Sequence, residues 1–302
     1  MSAQRAPLIS PAELAEMLCG TPAEAGSGAV RPGSADPPVV LDVRWRLGGP
    51  SGRADHEAGH LPGAVYVDLD TELAEPPGVG GRHPLPSLER LQDALRRAGV
   101  NAGSRVVAYD DGNGSVAARA WWLLRWAGLD PDRVAVLDGG YSRWVAEGRP
   151  VTTELARPEP GDVVVRPGAM PVVDAAGAAT LASTGVLLDA RAAPRYRGEV
   201  EPVDPVAGHV AGARNAPVAE LVDAEGRWLA PGALAGRLAK LGVAPDTQVG
   251  AYCGSGINAA ALVLAAEYAG LRSPEQPVVL YAGSWSDWCA DPRRPVATGA
   301  AP

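Results

Sequence analysis

Cys253 follows an apolar run, Val249-Gly250-Ala251-Tyr252, and opens a segment of small residues, Cys253-Gly254-Ser255-Gly256-Ile257-Asn258. That segment leads into a long apolar stretch from Ala259 to Tyr268. Strand, glycine-rich turn and helix in this order make a cradle for an anion. Consecutive backbone N–H groups of the turn can point inward, and the helix N-terminus adds partial positive charge. A thiol placed first in such a cradle is favoured as the thiolate, the form that attacks. The spacing therefore predicts nucleophilic chemistry at Cys253, with the amides from Gly254 to Asn258 stabilising the anionic sulfur. An inert core cysteine has no need of a Gly-x-Gly turn behind it. Cys19, at the end of an N-terminal helical stretch, and Cys289, after Trp288, lack such a turn and read as structural or incidental thiols. His56 and His83 show no partner pattern and read as loop residues.

The elements that must position Cys253 occur twice. Val39-Val40-Leu41-Asp42-Val43-Arg44 is echoed by Val186-Leu187-Leu188-Asp189-Ala190-Arg191, and Ala58-Gly59-His60-Leu61-Pro62-Gly63-Ala64 by Ala207-Gly208-His209-Val210-Ala211-Gly212-Ala213. Arg105–Tyr109 is echoed by Gln248–Tyr252, and Gly139–Trp144 by Gly283–Trp288, all at an offset of about 145 residues. A duplicated domain is the simplest account. In the first copy, strands are expected at 39–42, 65–68, 105–109 and 133–137, with helices at 87–98 and 115–127. In the second, strands are expected at 186–189, 213–216, 248–252 and 278–281, with helices at 233–241 and 257–269. Such alternation of short apolar strands with helices predicts an α/β fold: two tandem domains, each a mostly parallel sheet flanked by helices. Ligands gather at the carboxyl ends of such strands, where Cys253 lies. Ser10-Pro11-Ala12-Glu13 has the pattern of a capping box. The stretch 21–38 reads as a mobile surface loop and the Pro-rich stretch 152–168 as an interdomain linker.

The chain has 302 residues, enough for about two domains of roughly 150. A net charge of −8 argues against a nucleic-acid or anionic-membrane partner but permits a local basic pocket. Three cysteines are too few for a disulfide framework, no C-x-x-C pair suggests zinc, and the thiols fit a reducing cytoplasm. No signal-peptide pattern and no apolar run long enough for a membrane span are present.

The repeat serves as an internal control. Residues present in both copies (Asp42/Asp189, Arg44/Arg191, His60/His209) are expected to serve the scaffold as buried ion pairs, turn caps or satisfied histidines, and Trp144/Trp288 to anchor a helix. Residues in one copy alone are the candidates for chemistry. Asp110 stands where the second copy has Cys253, and a carboxylate cannot do a thiolate's work, so the first copy is expected to be silent. Arg195, in Ala193-Pro194-Arg195-Tyr196-Arg197-Gly198, faces about Gly48 in the first copy. Its guanidinium could hold a substrate carboxylate or oxyanion through paired hydrogen bonds, or be a solvated surface group; Arg197 is a weaker candidate of the same kind.

With its duplicated halves, Gly59–Ala64, Trp121-Trp122-Leu123-Leu124-Arg125, Leu137-Asp138-Gly139-Gly140, Asp110 in place of cysteine, and Gly283-Ser284-Trp285-Ser286-Asp287-Trp288, the chain resembles the two-domain rhodanese-type sulfurtransferases over nearly its whole length. The resemblance implies an inactive domain at 1–152, a linker at 153–169 and a catalytic domain at 170–302. It implies a persulfide on Cys253 and no cofactor or metal. Cys-Gly-Ser-Gly looks like the 3-mercaptopyruvate branch, in which Ser255 assists proton handling; the thiosulfate branch carries basic residues where Gly254 and Ser255 stand. Arg195 matches the first substrate arginine of that branch, whereas the position of the second holds Val203. The implied partners are a small anionic sulfur donor and a thiol or cyanide acceptor.

Three other readings bear comparison. Thiosulfate:cyanide sulfur transfer would use the same nucleophile. A persulfide carrier would serve a dedicated protein partner and cycle poorly with a small donor and cyanide. A phosphatase or arsenate reductase needs an arginine closing the loop, where this chain has Ala259.

Overall fold

The computed structural model describes residues 5–19 and 37–302. The expected loop at 21–38 falls, apart from Pro37 and Pro38, outside them. In the first half the elements run β1 (Leu8–Ile9), α1 (Pro11–Cys19), β2 (Val39–Asp42), α2 (Arg53–Ala58), β3 (Val65–Tyr66), α3 (Leu88–Arg97), β4 (Val106–Tyr109), α4 (Ser115–Trp126), β5 (Val134–Leu137) and α5 (Gly140–Ala146). The second half continues with β6 (Val172–Val173), α6 (Ala175–Thr184), β7 (Val186–Asp189), α7 (Ala193–Tyr196), β8 (His209–Val210), β9 (Arg214–Asn215), α8 (Pro231–Lys240), β10 (Val249–Tyr252), α9 (Asn258–Tyr268), β11 (Val279–Tyr281), α10 (Ser284–Trp288) and β12 (Val296–Ala297).

Each half holds a five-stranded sheet, in the orders β1-β5-β4-β2-β3 and β6-β11-β10-β7-β9. Every pair within them is parallel. The β4 and β10 residues are buried throughout, as parallel strands covered on both faces must be. The registers repeat: Asp42 lies beside Tyr109 and Asp189 beside Tyr252, so both Asp–Arg pairs sit next to the strand end that carries Asp110 or Cys253.

Local signals account for the expected elements. Ser10 and Glu13 form the capping box, with Ser10 N donating to Glu13 Oε2 at 2.9 Å and Glu13 N to Ser10 Oγ at 3.2 Å. Ser87 caps α3, whose buried face is Leu91, Ala94 and Leu95. The expected strands and helices are present, with ends that differ by up to two residues. Those missed are short or weakly patterned. β1 and β6 are two-residue edge strands, and α6 is mostly Ala, Gly and Thr, although Asp174 caps it by accepting from Gly177 N at 2.8 Å.

α4 and α9 decide how the halves meet. Both sequences are apolar nearly all round, so neither can face water on one side. They pack on each other, burying Trp121 and Trp122 from one half and the run Ala259–Glu267 from the other, inside one apolar cluster that spans both sheets. Arg125 of α4 pairs with Glu267 of α9 at 3.0 Å, with both side chains almost wholly buried. The segment 153–169 runs extended against the first half: Gly161 N donates to Arg96 O, Val163 N to Val100 O and Arg166 N to Ala127 O. Among the described residues no helix is long and apolar enough to cross a membrane.

Candidate active site

Cys253 lies at the carboxyl end of β10, 2% exposed. Its Sγ accepts a hydrogen bond from Gly256 N at 3.1 Å. Gly256 has φ 83°, and a Cβ there would lie 2.5 Å from Ala282 O, so the turn requires glycine. The loop is sewn to the start of α10: Trp285 N donates to Cys253 O and Ser286 N to Gly254 O, each at 2.9 Å. Cys253 N donates to Ser284 Oγ at 3.1 Å, and that hydroxyl donates to Tyr281 O at 2.9 Å. Ser284 has φ 54° and is the one non-glycine residue in the left-handed region among the described residues. The equivalent place in the first half is Gly140, at φ 52°. Holding a serine there costs on the order of 1 kcal/mol, and the strained residue is the one that tethers the Cys253 amide.

The first half demonstrates what this loop does to an anion. Asp110 fills its own cradle: Oδ1 accepts from Gly112 N at 2.9 Å and Gly114 N at 3.1 Å, while Oδ2 accepts from Val116 N and Ala117 N at 3.0 Å each. Burial, the larger influence, pushes the carboxyl above its usual range; the amides pull it down. The four converging amides are thus taken up by the chain's own carboxylate.

Beside Cys253 stand groups contributed by the first half. His83 lies in a loop, as expected, but the expectation that it has no partner is corrected: it is buried, with Nδ1 2.8 Å from Ser255 Oγ and Nε2 3.1 Å from Asp70 Oδ1. Trp45 stacks edge-on to the imidazole at 5.4 Å and donates Nε1–H to Asp70 Oδ2 at 2.8 Å. Burial lowers the His83 pKa below 6.5; Asp70 opposes that shift, and Arg119 and Arg82 reinforce it. The imidazole is thus neutral at pH 7, and the carboxylate at Nε2 fixes the tautomer that leaves Nδ1 free to accept from Ser255. His56, by contrast, corrects the expectation of a loop residue. It sits on α2, buried, with Nδ1 2.8 Å from Asp42 Oδ2, where it belongs to the scaffold.

Arg119 of α4 is fully buried beneath the loop. Its Nη1 donates to Gly256 O at 3.4 Å and Nη2 to His83 O at 3.3 Å, while Nε has no partner among the described residues. Burial pulls its pKa down to about 10, and the neighbouring Cys253 is the influence that opposes the fall. It ties the carbonyl of Gly256 in the cysteine loop to that of His83 in the first half.

Arg195 is positioned by the one-turn helix α7 through two carboxylates. Its Nε donates to Glu201 Oε2 at 3.2 Å, and its Nη2 to Glu201 Oε1 at 2.5 Å and to Asp204 Oδ2 at 3.0 Å. Its Nη1 lies 3.7 Å from where a Cβ on Gly254 would be. Arg197 points elsewhere, to Glu199 on the surface. Ile257 is buried in the core and Asn258 opens α9, partly buried. The residues common to both copies are scaffold. Arg44 and Arg191 each grip the neighbouring Asp and a glycine carbonyl (Gly59, Gly208), and His60 and His209 bond the carbonyls of His56 and Tyr196. Sequence reasoning missed Arg82 and Arg119, each of which bonds a residue of the other half, and Asp70, whose partners Trp45 and His83 are distant in sequence but in its own half. The one available signal was their absence from the second copy.

Comparison with known proteins adds to this geometry. A family model described as Rhodanese-like domain matches residues 29–147 and 175–291. The chain is 47% identical over 267 residues to a probable 3-mercaptopyruvate sulfurtransferase of Pseudomonas aeruginosa, covering 86% of this chain and 92% of that one. It is 43% identical to the putative thiosulfate sulfurtransferase SseB of Mycobacterium tuberculosis over the whole of both chains. Among solved structures, the 3-mercaptopyruvate sulfurtransferase from Leishmania major superposes with a TM-score of 0.75 at 24% identity, covering 94% of this chain and 74% of that one, a likeness of fold.

Proposed function

The chain belongs to the rhodanese-like family, and from that premise we propose that it is a sulfurtransferase working through a persulfide on Cys253. It moves a sulfane sulfur from a small anionic donor, 3-mercaptopyruvate in preference to thiosulfate, to a thiol or cyanide. Residues 170–302 carry the nucleophile, residues 1–152 lack one, and 153–169 connect them.

The thiolate of Cys253 attacks the donor's sulfur. The S–S bond forms as the donor's C–S bond breaks, and the electron pair leaves on the carbon as pyruvate enolate. The donor's thiol proton passes through the Ser255 hydroxyl to His83 Nδ1 and returns to that carbon, giving pyruvate and the persulfide anion. A thiolate or cyanide then attacks the outer sulfur and releases Cys253 as thiolate. The Gly256 amide supports the anionic sulfur in both halves of the cycle, and Arg195 orients the donor's anionic end.

One observation carries the choice of donor: the Ser255–His83–Asp70 chain of hydrogen bonds beside Cys253. A proton relay is useful to a donor that arrives with a thiol proton and leaves as a carbanion. Thiosulfate brings no such proton and releases sulfite, which needs none. The test compares turnover on 3-mercaptopyruvate and thiosulfate with cyanide as acceptor, together with the intact mass after donor exposure. Higher kcat/KM on 3-mercaptopyruvate, and a mass gain of one sulfur atom that disappears in Cys253→Ser, is the expected result. Retained transfer in Cys253→Ser removes the nucleophile assignment, and a preference for thiosulfate removes the donor assignment.

A further inference from the structure

We infer that Arg82, delivered by the half that has no nucleophile, is the second donor-binding arginine, and that it closes with Arg195 on the donor's carboxylate. This rests on the sulfur-transfer reading above.

Arg82 belongs to a tight strap, residues 78–83, closed by mutual hydrogen bonds between Gly78 and Gly81 at 3.0 and 3.1 Å. The strap is pressed onto the other half. A Cβ on Gly81 would lie 2.6 Å from Gly283 O, and Arg82 N donates to Ser286 Oγ at 3.0 Å. Ser286 is the residue whose amide holds Gly254 O, so strap and cysteine loop share one anchor. From there the Arg82 guanidinium reaches over the loop. Its Nη2 lies 3.0 Å from where a Cβ on Gly254 would be, on the glycine that Arg195 Nη1 and Nη2 approach at 3.7 and 3.8 Å. The two arginines, from opposite halves, thus converge on the residue next to Cys253.

Asp204 sets them in place. It accepts from Arg82 Nη1 through Oδ1 and from Arg195 Nη2 through Oδ2. Arg82 retains a buried Nε without a hydrogen-bond partner among the described residues. Nε and Nη2 form one edge of a guanidinium, the two-pronged edge that matches a planar carboxylate. In the C-terminal half, the position where the family's second substrate arginine falls holds Val203, an exposed residue that offers no charge. A Cβ on Gly254 would sit 3.0 Å from Arg82 Nη2 and 3.7 Å from Arg195 Nη1, so any side chain there would stand against both guanidinium groups. The donor class this selects is a small α-keto carboxylate whose thiol end lies over Cys253.

The test measures steady-state kinetics of Arg82→Gln with 3-mercaptopyruvate and with its methyl ester, using cyanide as acceptor. The KM for the acid is expected to rise about tenfold or more, with kcat within about twofold of the parent. Parent and variant should be indistinguishable on the ester, which has no carboxylate to grip. Gly254→Ala leaves both charges in place but puts a methyl group between them, and should raise the KM for the acid likewise. An unchanged KM for the acid in Arg82→Gln, or equal losses on acid and ester, overturns the assignment; equal losses are what a purely structural Arg82–Asp204 pair would give. If the parent protein neither turns over nor gains a sulfur on Cys253, the sulfur-transfer reading fails and takes this assignment with it. A working parent with an unchanged Arg82→Gln overturns this assignment alone.

Discussion

A sulfur and a carboxylate occupy equivalent places in the two halves, Cys253 and Asp110, each followed by a turn of small residues, the sulfur met by the amide of Gly256 and the carboxylate by four amides. The difference in chemistry is thus a difference of one side chain, plus what reaches it from outside. What reaches Cys253 is the Ser255–His83–Asp70 chain, and its titration is testable. Because burial keeps the His83 pKa below 6.5, the acid limb of kcat/KM for 3-mercaptopyruvate should lie below pH 6.5. Below that limb His83 is protonated and cannot accept from Ser255. Asp70 is the influence that holds the pKa up, so Asp70→Asn should move the limb to still lower pH. His83→Ala should cost about a hundredfold in kcat/KM. A pH profile identical in parent and Asp70→Asn would remove His83 from proton transfer.

At the scale of elements, two loops and a strap make the site, and each is fixed by contact with another. The turn after β10 keeps its shape because Gly256 passes tightly under Ala282 O and because Ser284, strained at φ 54°, holds the Cys253 amide. Gly256→Ala would add a left-handed residue and a 2.5 Å clash with that carbonyl. The amide that supports the sulfur should then swing away, lowering kcat by roughly a hundredfold, as loss of one such donor does. Secondary structure should be retained, with a loss of about 1–3 kcal/mol in unfolding from the strained φ and the clash. Parent-like kcat in that variant would show that the Gly256 amide has no part in the chemistry. The cysteine turn itself was legible from Cys253-Gly254-Ser255-Gly256, since glycine spacing and a following apolar helix are local properties. The strap was not legible: Gly80-Gly81-Arg82-His83 reads as any surface turn until its partner loop is known.

For the whole molecule, the α4–α9 contact brings the first half's groups to Cys253. Arg119 and Arg125 lie on the same helix; the first touches the site loop, and the second pairs with Glu267 across the interface. Removing one partner of so buried a pair leaves an uncompensated charge. Glu267→Ala should therefore destabilise the protein by about 3–5 kcal/mol in urea unfolding, while the paired change Arg125→Met with Glu267→Met should cost much less. A loss under about 1 kcal/mol in Glu267→Ala would mean that water already reaches the pair. The duplicate halves are therefore not interchangeable copies. One supplies the sulfur, and the other supplies His83, Asp70, Arg82 and Arg119 around it.

The amino-acid sequence alone determined the duplication, the parallel α/β character, most strand and helix positions, and Cys253 with its turn. The duplication follows from matched segments at one offset, and the rest from periodicity and glycine placement within stretches of a dozen residues or so, where neighbours in sequence are neighbours in space. Only the tertiary structure decided that His83 faces Ser255 and that Arg82 faces Gly254, contacts between residues 172 positions apart in the first case. Such pairings depend on how two apolar helices, α4 and α9, bury each other, and no local pattern encodes the partner of a surface that is complete only after two halves have docked.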